Sequence, residues 1–414
     1  MQGSLKNLFV KPLDMPKLLQ INVTANWGST GKIAEQIGLA AMDAGWESYL
    51  AYSRNSNNSQ SSLIKIGSRL GTLWHVLQAR LFDRAGLGGV IATKKLIREI
   101  DSIRPDIVHL HNIHGYVLNY KLLFEYINKV HIPVVWTFHD FWAITGHCAF
   151  FYQCDKWRYG CGRCDKVKDY PYSFMDNSQR NILMKKQSYA ESDLSVVTVS
   201  EWMKDFVKES ILKDAPVCAI PNGIDIKVFH PVSVTRNIGL ANTDYVIMAV
   251  AIKWDARKGF QDYIRLSGLL AEDEKIVLVG LDEKQIKQLP SGIIGLQKTD
   301  SQEQLAELYS RADVVLSLSY AETFGLTIAE SMACGTPVIA YDNTAQADLL
   351  TEETGIKVKT GDVDGVYEAI RMMRKIGKDH FSQACRARAE EHFDKEKCFK
   401  KYIELYEEIL NRSK

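Results

Sequence analysis

The sequence contains no apolar run approaching the roughly 18 residues that a membrane-spanning helix needs. Its first residues lack the charged and apolar regions of a secretory signal. It contains no internal repeat and no low-complexity tract. A formal net charge of +1 provides no general attraction to nucleic acid. We therefore expect a cytoplasmic protein without a nucleic-acid partner.

The 414 residues allow two or three domains, and the proportions of apolar and charged residues are ordinary for a globular protein. Short β-rich runs alternate with helix-length segments in two series. The first series comprises 18–23, 47–52, 107–111, 133–138 and 194–199. The second comprises 245–251, 275–280, 293–297, 314–318 and 337–340. This alternation predicts an α/β protein with parallel sheets covered on both faces.

A segment with turn chemistry and two prolines, 220–231, separates the two series. We therefore predict two Rossmann-like, doubly wound domains, 1–232 and 233–394, with a ligand cleft at the carboxyl ends of their strands. An amphipathic helix, 395–414, follows them.

The stretch Glu322-Thr-Phe-Gly-Leu-Thr-Ile-Ala-Glu330 lies between two strand-like runs and predicts a strand, a tight turn and a short helix. Its two carboxylates are about two helical turns apart. Between them, Phe324, Gly325 and Leu326 would offer free backbone N–H groups to a diphosphate at the start of the helix. The alternative is that both acids are solvated on a surface helix.

This stretch resembles the E-x7-E element of family-4 glycosyltransferases, which are retaining enzymes of the GT-B fold. The resemblance implies that 1–232 binds the acceptor, that 233–394 binds a nucleotide-sugar donor, and that the last helix crosses back to the first domain. It further implies that Glu330 holds the nucleotide ribose, that Glu322 binds sugar hydroxyls, and that residues 324–326 hold the donor through backbone N–H groups.

Lys253 and Lys258 resemble the basic pair that opens the donor domain of this family. Two cations at the end of a strand can stabilise the charge that develops on a departing diphosphate. The alternative is that both are solvated lysines. Lys253 departs from the family pattern, in which many relatives carry arginine, and lysine lacks the bidentate fork of arginine.

The loop Asn26-Trp-Gly-Ser-Thr-Gly-Lys32 is not a phosphate loop, because Asn26 and Ile33 stand where that pattern needs Gly and Ser or Thr. It resembles the glycine-rich first loop of a GT-B acceptor domain, where Gly28 and Ser29 would approach the donor phosphate. The alternative is an ordinary turn between a strand and a helix.

His139 follows a predicted strand of the first domain, and the resemblance implies that it lines the sugar pocket from across the cleft. A structural histidine is the alternative. His111 and His114 lie at the end of the preceding strand, where lining or packing is favoured over a metal pair.

Four cysteines, Cys148, Cys154, Cys161 and Cys164, fall within a glycine-bearing loop, 147–165. Four thiols at these spacings can converge on one tetrahedral ion, so we predict a structural zinc ion. Disulfides or free thiols are the alternatives. The ion would stiffen the loop beside His139 without taking part in the chemistry.

The His-rich strand end, the string around His139 and the cysteine loop together resemble the bacterial branch of the family that makes colanic acid and capsular polysaccharides. One segment departs from it: Asp342-Asn-Thr-Ala-Gln-Ala-Asp348 stands where relatives often carry Thr-Gly-Gly-x-Pro-Glu. Without those glycines the backbone approaches a ligand less closely, which puts donor contacts from this segment in doubt.

The resemblance implies retaining transfer of a sugar from a UDP- or GDP-sugar to a growing, lipid-linked oligosaccharide. No Asp-x-Asp pair stands at a recognisable metal–nucleotide position, so no cofactor is expected for catalysis. A nucleotide-sugar epimerase of the same fold and an inactive nucleotide-sugar-binding scaffold are the alternatives. Residues 69–98 combine cations and aromatics that could rest on the inner face of the membrane, or could be an ordinary solvated helix face.

Overall fold

The computed structural model describes residues 15–151, 153–233 and 239–412. Residues 17–219 contribute seven parallel strands to one sheet, in the order β3-β2-β1-β4-β5-β6-β7. These strands are β1 (Lys17–Asn22), β2 (Glu47–Tyr52), β3 (Ser62–Lys65), β4 (Ile107–Leu110), β5 (Val134–Phe138), β6 (Leu194–Thr198) and β7 (Val217–Ala219).

Residues 245–358 contribute six parallel strands to a second sheet, in the order β10-β9-β8-β11-β12-β13. These strands are β8 (Tyr245–Val250), β9 (Glu274–Val279), β10 (Ile293–Leu296), β11 (Val314–Ser317), β12 (Val338–Tyr341) and β13 (Gly355–Val358). In each sheet the chain winds outward first to one side of the opening strand and then to the other, as in doubly wound folds.

Within each sheet a helix connects successive strands, except that segment 53–61 joins β2 to β3 without one. The helices of the first half are α1 (Gly28–Asp43), α2 (Arg69–Phe82), α3 (Val90–Ile103), α4 (Tyr120–Val130), α5 (Ser178–Tyr189) and α6 (Glu201–Lys208). Those of the second half are α7 (Phe260–Ser267), α8 (Glu283–Lys287), α9 (Gln302–Arg311), α10 (Leu326–Ala333), α11 (Thr344–Asp348), α12 (Val363–Ile376), α13 (Asp379–His392) and α14 (Lys395–Arg412).

The central strands are buried along their whole length, which holds for every residue of β4, β5 and β6. Helices on both faces exclude water from them, which is why their sequences are nearly continuous apolar runs. The same holds for β11 and β12 in the second sheet.

The edge strands β3, β7 and β13 are absent from the strands that we predict. They are three or four residues long and most of their residues are exposed or partly exposed, so they carry no long apolar run that a sequence pattern could reveal. Their pairing with β2, β6 and β12 defines them.

The last helix, α14, packs against α1 and the first sheet. Its buried face shares a core with Leu18, Ile37 and Trp46, and the Tyr406 hydroxyl lies 2.6 Å from His109 Nδ1. The backbone of Phe393–Lys395 pairs with Ile224, so the chain returns to the first sheet there. The predicted boundary at 232/233 falls between β7 and β8, and residues 234–238 beside it lie outside the described residues.

Candidate active site

The predicted site residues follow strands at the point where the winding of each sheet reverses. In the first sheet this point lies between β1 and β4, and Gly28 and His111 come after those strands. In the second it lies between β8 and β11, which Lys258 and Glu322 follow. Ligands of open α/β sheets bind in the crevice at such a switch point. His139 follows β5, the neighbour of β4.

Side chains at these two edges contact each other. Thr323 Oγ1 donates to the His139 carbonyl oxygen at 3.0 Å. The Arg257 guanidinium carbon lies 5.3 Å from the centre of the Phe150 ring, in the cysteine loop. The first contact joins the loop before α10 to the strand end that carries His139, and the second joins the loop after β8 to the cysteine loop.

Helix α10 begins without a side-chain cap. Gly325 precedes it with a φ of 110°, a conformation that favours glycine. Phe324 is buried and its ring meets Phe393 edge-on, which anchors the turn. The N–H groups of Leu326 and Thr327 donate to no capping side chain and can serve an anionic ligand. Those of Ile328 and Ala329 donate to the Gly325 carbonyl oxygen.

Lys258 and Glu322 form an ion pair between the loops that follow β8 and β11. Their side chains are only 21% and 15% exposed, so water screens the pair less than it screens a surface pair. Asp255 accepts from the Lys258 backbone N–H at 3.2 Å and fixes the turn. Lys253, by contrast, is exposed. The structure therefore places the two lysines differently: of the two, Lys258 alone contacts a predicted acid, Glu322.

Glu330 lies on α10, where burial raises the pKa of its carboxyl group to about 7. Two neighbours oppose this shift. The Tyr309 hydroxyl donates to Glu330 Oε2 at 2.9 Å, and the positive charge of Lys32, at the start of α1, also favours the carboxylate. The positive charge that acts on Glu330 therefore comes from Lys32, in the other half of the molecule.

His139 is held neutral and in one tautomer. Burial lowers its pKa to about 4. Gln20 donates from Nε2 to the Ala34 carbonyl oxygen at 2.8 Å, so its Oε1 faces His111 Nε2 at 3.0 Å and must accept from it. His111 Nδ1 is then the acceptor, and His139 Nε2, 3.1 Å away, is the donor. The remaining nitrogen of His139, Nδ1, is left unprotonated.

Two family models match most of the chain. The model described as Glycosyltransferase Family 4 matches residues 36–228, and the model described as Glycosyl transferases group 1 matches residues 244–375. The chain belongs to the family-4 glycosyltransferases.

The relatives and solved structures that this glycosyltransferase resembles include the following three. A protein of Escherichia coli (strain K12), named as the colanic acid biosynthesis glycosyl transferase WcaC, is 25% identical, covering 84% of this chain and 88% of the relative. An N,N'-diacetylbacillosaminyl-diphospho-undecaprenol alpha-1,3-N-acetylgalactosaminyltransferase of Campylobacter jejuni is 23% identical, covering 52% of this chain and 60% of the relative.

The solved structure is HepE of Anabaena in complex with UDP. It superposes with a TM-score of 0.66 at 14% identity, over 95% of this chain and all of the other. The predicted family and the predicted two-domain, Rossmann-like GT-B fold are therefore confirmed. Among the helices that the structure describes, none is long and apolar enough to cross a membrane.

In the glycosyltransferase the segment 342–348 forms α11 and the turn before it. Thr344 adopts a φ of 48°, so a non-glycine residue keeps a left-handed turn where relatives often carry glycine. Its hydroxyl accepts from the Glu322 backbone N–H at 3.1 Å. Asn343 and Gln346 donate to the Ser319 carbonyl oxygen at 3.2 Å and 2.7 Å. This segment therefore supports the loop that carries Glu322.

The four cysteines of the 147–165 loop are free thiols that line one small cavity of about 20 Å³. Burial raises the pKa of Cys148 to about 12 and that of Cys164 to about 11. Over residues 15–151, 153–233 and 239–412, no three His, Cys, Asp or Glu side chains are arranged to hold a metal ion. The thiols share a cavity without surrounding a common point, and the zinc ion stays a prediction.

Five residues at the site of the glycosyltransferase were not predicted: Gln20, Lys32, Arg257, Tyr309 and Thr344. Gln20 had a signal, because a fully buried polar side chain inside an apolar strand needs a bonding partner. The other four act across elements that are distant in sequence. No local pattern marks them.

Proposed function

We propose that the chain transfers a sugar, with retention of configuration, from a nucleotide-diphosphate sugar to a lipid-linked oligosaccharide of a bacterial surface polysaccharide. HepE, which shares the fold, was solved with UDP, and the E. coli relative is named for colanic acid biosynthesis. The C. jejuni relative is named for a diphospho-undecaprenol substrate. These names support the proposed donor and acceptor classes.

The observation that carries the proposal is the Lys258–Glu322 ion pair beside the uncapped start of α10. A donor diphosphate would take the N–H groups of Leu326 and its neighbours and would draw Lys258 away from Glu322. Lys258 would then stabilise the negative charge that grows on the leaving diphosphate. Glu322, freed from the cation, would accept hydrogen bonds from the sugar hydroxyls.

The remaining predicted residues surround that position. Glu330 would accept hydrogen bonds from the ribose hydroxyls as a carboxylate. Gly28 and Ser29, at the start of α1, would approach the donor from the first half. His139 would line the sugar pocket as a neutral ring whose Nδ1 can accept a hydrogen bond from a hydroxyl group.

The test is a transfer assay with UDP- and GDP-sugars, a polyprenyl-diphosphate-linked saccharide acceptor, and NMR of the product linkage. An α-linked sugar donor that yields an α-linked product supports retention, and an inverted product contradicts it. We expect activity to persist in EDTA, because Lys258 and the α10 N–H groups supply the charge stabilisation proposed here. If the nucleotide is released as fast without the acceptor as with it, the epimerase would be favoured instead.

A further inference from the structure

Helix α2 turns its apolar face toward solvent. Five of its six large exposed apolar residues recur at helical spacing on one face; they are Leu70 (80% exposed), Leu73 (57%), Trp74 (60%), Leu77 (44%) and Leu81 (39%). The opposite face, with His75 and Ala79, is buried. A surface helix ordinarily buries its apolar face, so this arrangement is inverted. We name these five exposed residues the α2 stripe.

A neighbouring loop enlarges the apolar surface. The Phe174 backbone N–H donates to the Arg80 carbonyl oxygen at 2.7 Å, and Ser173 Oγ donates to the same oxygen at 3.1 Å. These bonds hold Phe174 and Met175, both exposed, beside the end of α2. A contiguous exposed apolar surface of this kind marks a site that contacts a protein or a membrane.

The exposed charges of residues 62–98, the segment that contains α2, are all positive. Residues 62–98 contain seven cations, all exposed: Lys65, Arg69, Arg80, Arg84, Lys94, Lys95 and Arg98. The single acid of this segment, Asp83, is buried and bonded to His147 and to the Asn177 backbone N–H. The first exposed acid that follows is Glu99. Within this segment an anionic partner would therefore meet exposed cations and no exposed acid, whereas Asp176, which follows Met175, is exposed in the neighbouring loop.

The buried side of α2 connects this surface to the cleft. His75 Nε2 accepts from the Gly86 and Gly88 backbone N–H groups, and its ring meets the Tyr116 ring edge-on at 5.6 Å. Tyr116 belongs to the loop after β4, at the carboxyl edge of the sheet. In the same loop, His114 Nε2 lies 3.3 Å from Asp140, the residue after His139.

We propose that the α2 stripe inserts into the interface of an anionic lipid bilayer while the exposed cations of residues 62–98 contact the headgroups. Exposed apolar side chains with a tryptophan, in a segment whose exposed charges are all positive, match the two attractions that such a surface offers. A protein partner would need an acidic rim complementary to these cations. The inference is independent of the proposed reaction. It places the edge of the sheet that carries His139 beside the membrane.

Sedimentation with vesicles tests the apolar part. Equal parts of phosphatidylcholine and phosphatidylglycerol are compared with phosphatidylcholine alone. The variant Leu73→Gln/Trp74→Gln/Leu77→Gln should bind the anionic vesicles at least about tenfold more weakly than the wild type. The control Met372→Gln/Ile376→Gln, which removes two exposed apolar residues of α12, should bind like the wild type.

A second variant tests the charge. Lys94→Gln/Lys95→Gln/Arg98→Gln should lose about tenfold or more in binding, and added salt should weaken the wild type in the same direction. Its control is Lys284→Gln/Lys287→Gln on α8, which removes exposed cations from the other half. Unchanged thermal unfolding of every variant shows that lost binding is not lost folding.

Three results would overturn the proposal. One is a wild-type protein that does not sediment with the anionic vesicles. Another is equal binding to neutral and anionic vesicles. The third is a wild-type dimer without lipid, in sedimentation velocity, that the Leu73/Trp74/Leu77 variant disrupts; the α2 stripe would then be covered by a second copy of this chain.

Discussion

The affinity for the nucleotide-sugar donor should depend on the protonation of Glu330. Burial raises the pKa of its carboxyl group to about 7, against an ordinary value near 4.5. Only the carboxylate offers all its lone pairs to the ribose hydroxyls, because a protonated carboxyl group has become a donor at one oxygen. Donor affinity should therefore fall as the pH falls through 7.

The size of the effect follows from that pKa. If only the carboxylate form binds, the apparent Kd is multiplied by one plus the ratio of protonated to ionised groups. Relative to pH 8, this gives a Kd about twofold higher at pH 7 and about tenfold higher at pH 6. An ordinary glutamate would give no change over this range, since it stays ionised down to about pH 5.

Calorimetric titration with the nucleotide sugar between pH 6 and pH 8.5 measures the effect. The nucleotide sugar is used because its diphosphate diester does not titrate in this range, whereas a free nucleoside diphosphate does. Glu330→Gln should bind weakly at every pH. Tyr309→Phe removes the hydrogen bond that favours the carboxylate, so its inflection should move to higher pH.

A donor Kd that is flat from pH 6 to pH 8 in the wild type would refute the reasoning. So would the same inflection in Glu330→Gln, because the titrating group would then be another residue. An inflection that moves to lower pH in Tyr309→Phe would contradict the inferred effect of the hydroxyl group.

Three further predictions concern the lysine pair, the histidine tautomers and the cysteines. Lys258→Ala should reduce kcat by a factor on the order of 100 or more, whereas Lys253→Ala, which removes an exposed cation, should cost far less; similar losses in steady-state assays would contradict the geometry. Gln20→Leu removes the hydrogen bond that fixes the tautomer of His111, so the imidazole ¹⁵N shifts of His139 should change and kcat should fall with an unchanged donor KM. Unchanged spectra would contradict the inferred chain of hydrogen bonds from Gln20 to His139. Metal analysis of the purified protein should find one zinc per chain, and less than half an equivalent with oxidised thiols would reject the zinc ion.

Local sequence patterns determined ten of the thirteen strands that the structure describes, with bounds that agree to within one residue. The central strands are covered on both faces, so their runs are nearly continuously apolar. Strand β2 has the bounds that the sequence predicts, and α14 begins at the predicted Lys395. The start of α10 was equally predictable, because Gly325 permits the left-handed turn that precedes the helix.

Tertiary structure alone decided the partners of the site residues. Lys258 and Lys253 look alike in sequence, yet the turn capped by Asp255 brings only Lys258 to Glu322. The shifted pKa of Glu330 depends on burial and on a hydroxyl group from α9. Such effects depend on distance in space, and residues far apart in the chain leave no shared pattern.

The α2 stripe also combines a feature that the sequence predicts with one that only the tertiary structure decides. Its apolar periodicity can be read from the sequence, where it indicates a helix with one apolar face. Whether that face is buried depends on which side of the helix the rest of the chain covers. Here His75 accepts hydrogen bonds from the Gly86 and Gly88 backbone N–H groups, so the face of α2 that carries His75 is buried and the apolar face is exposed to solvent.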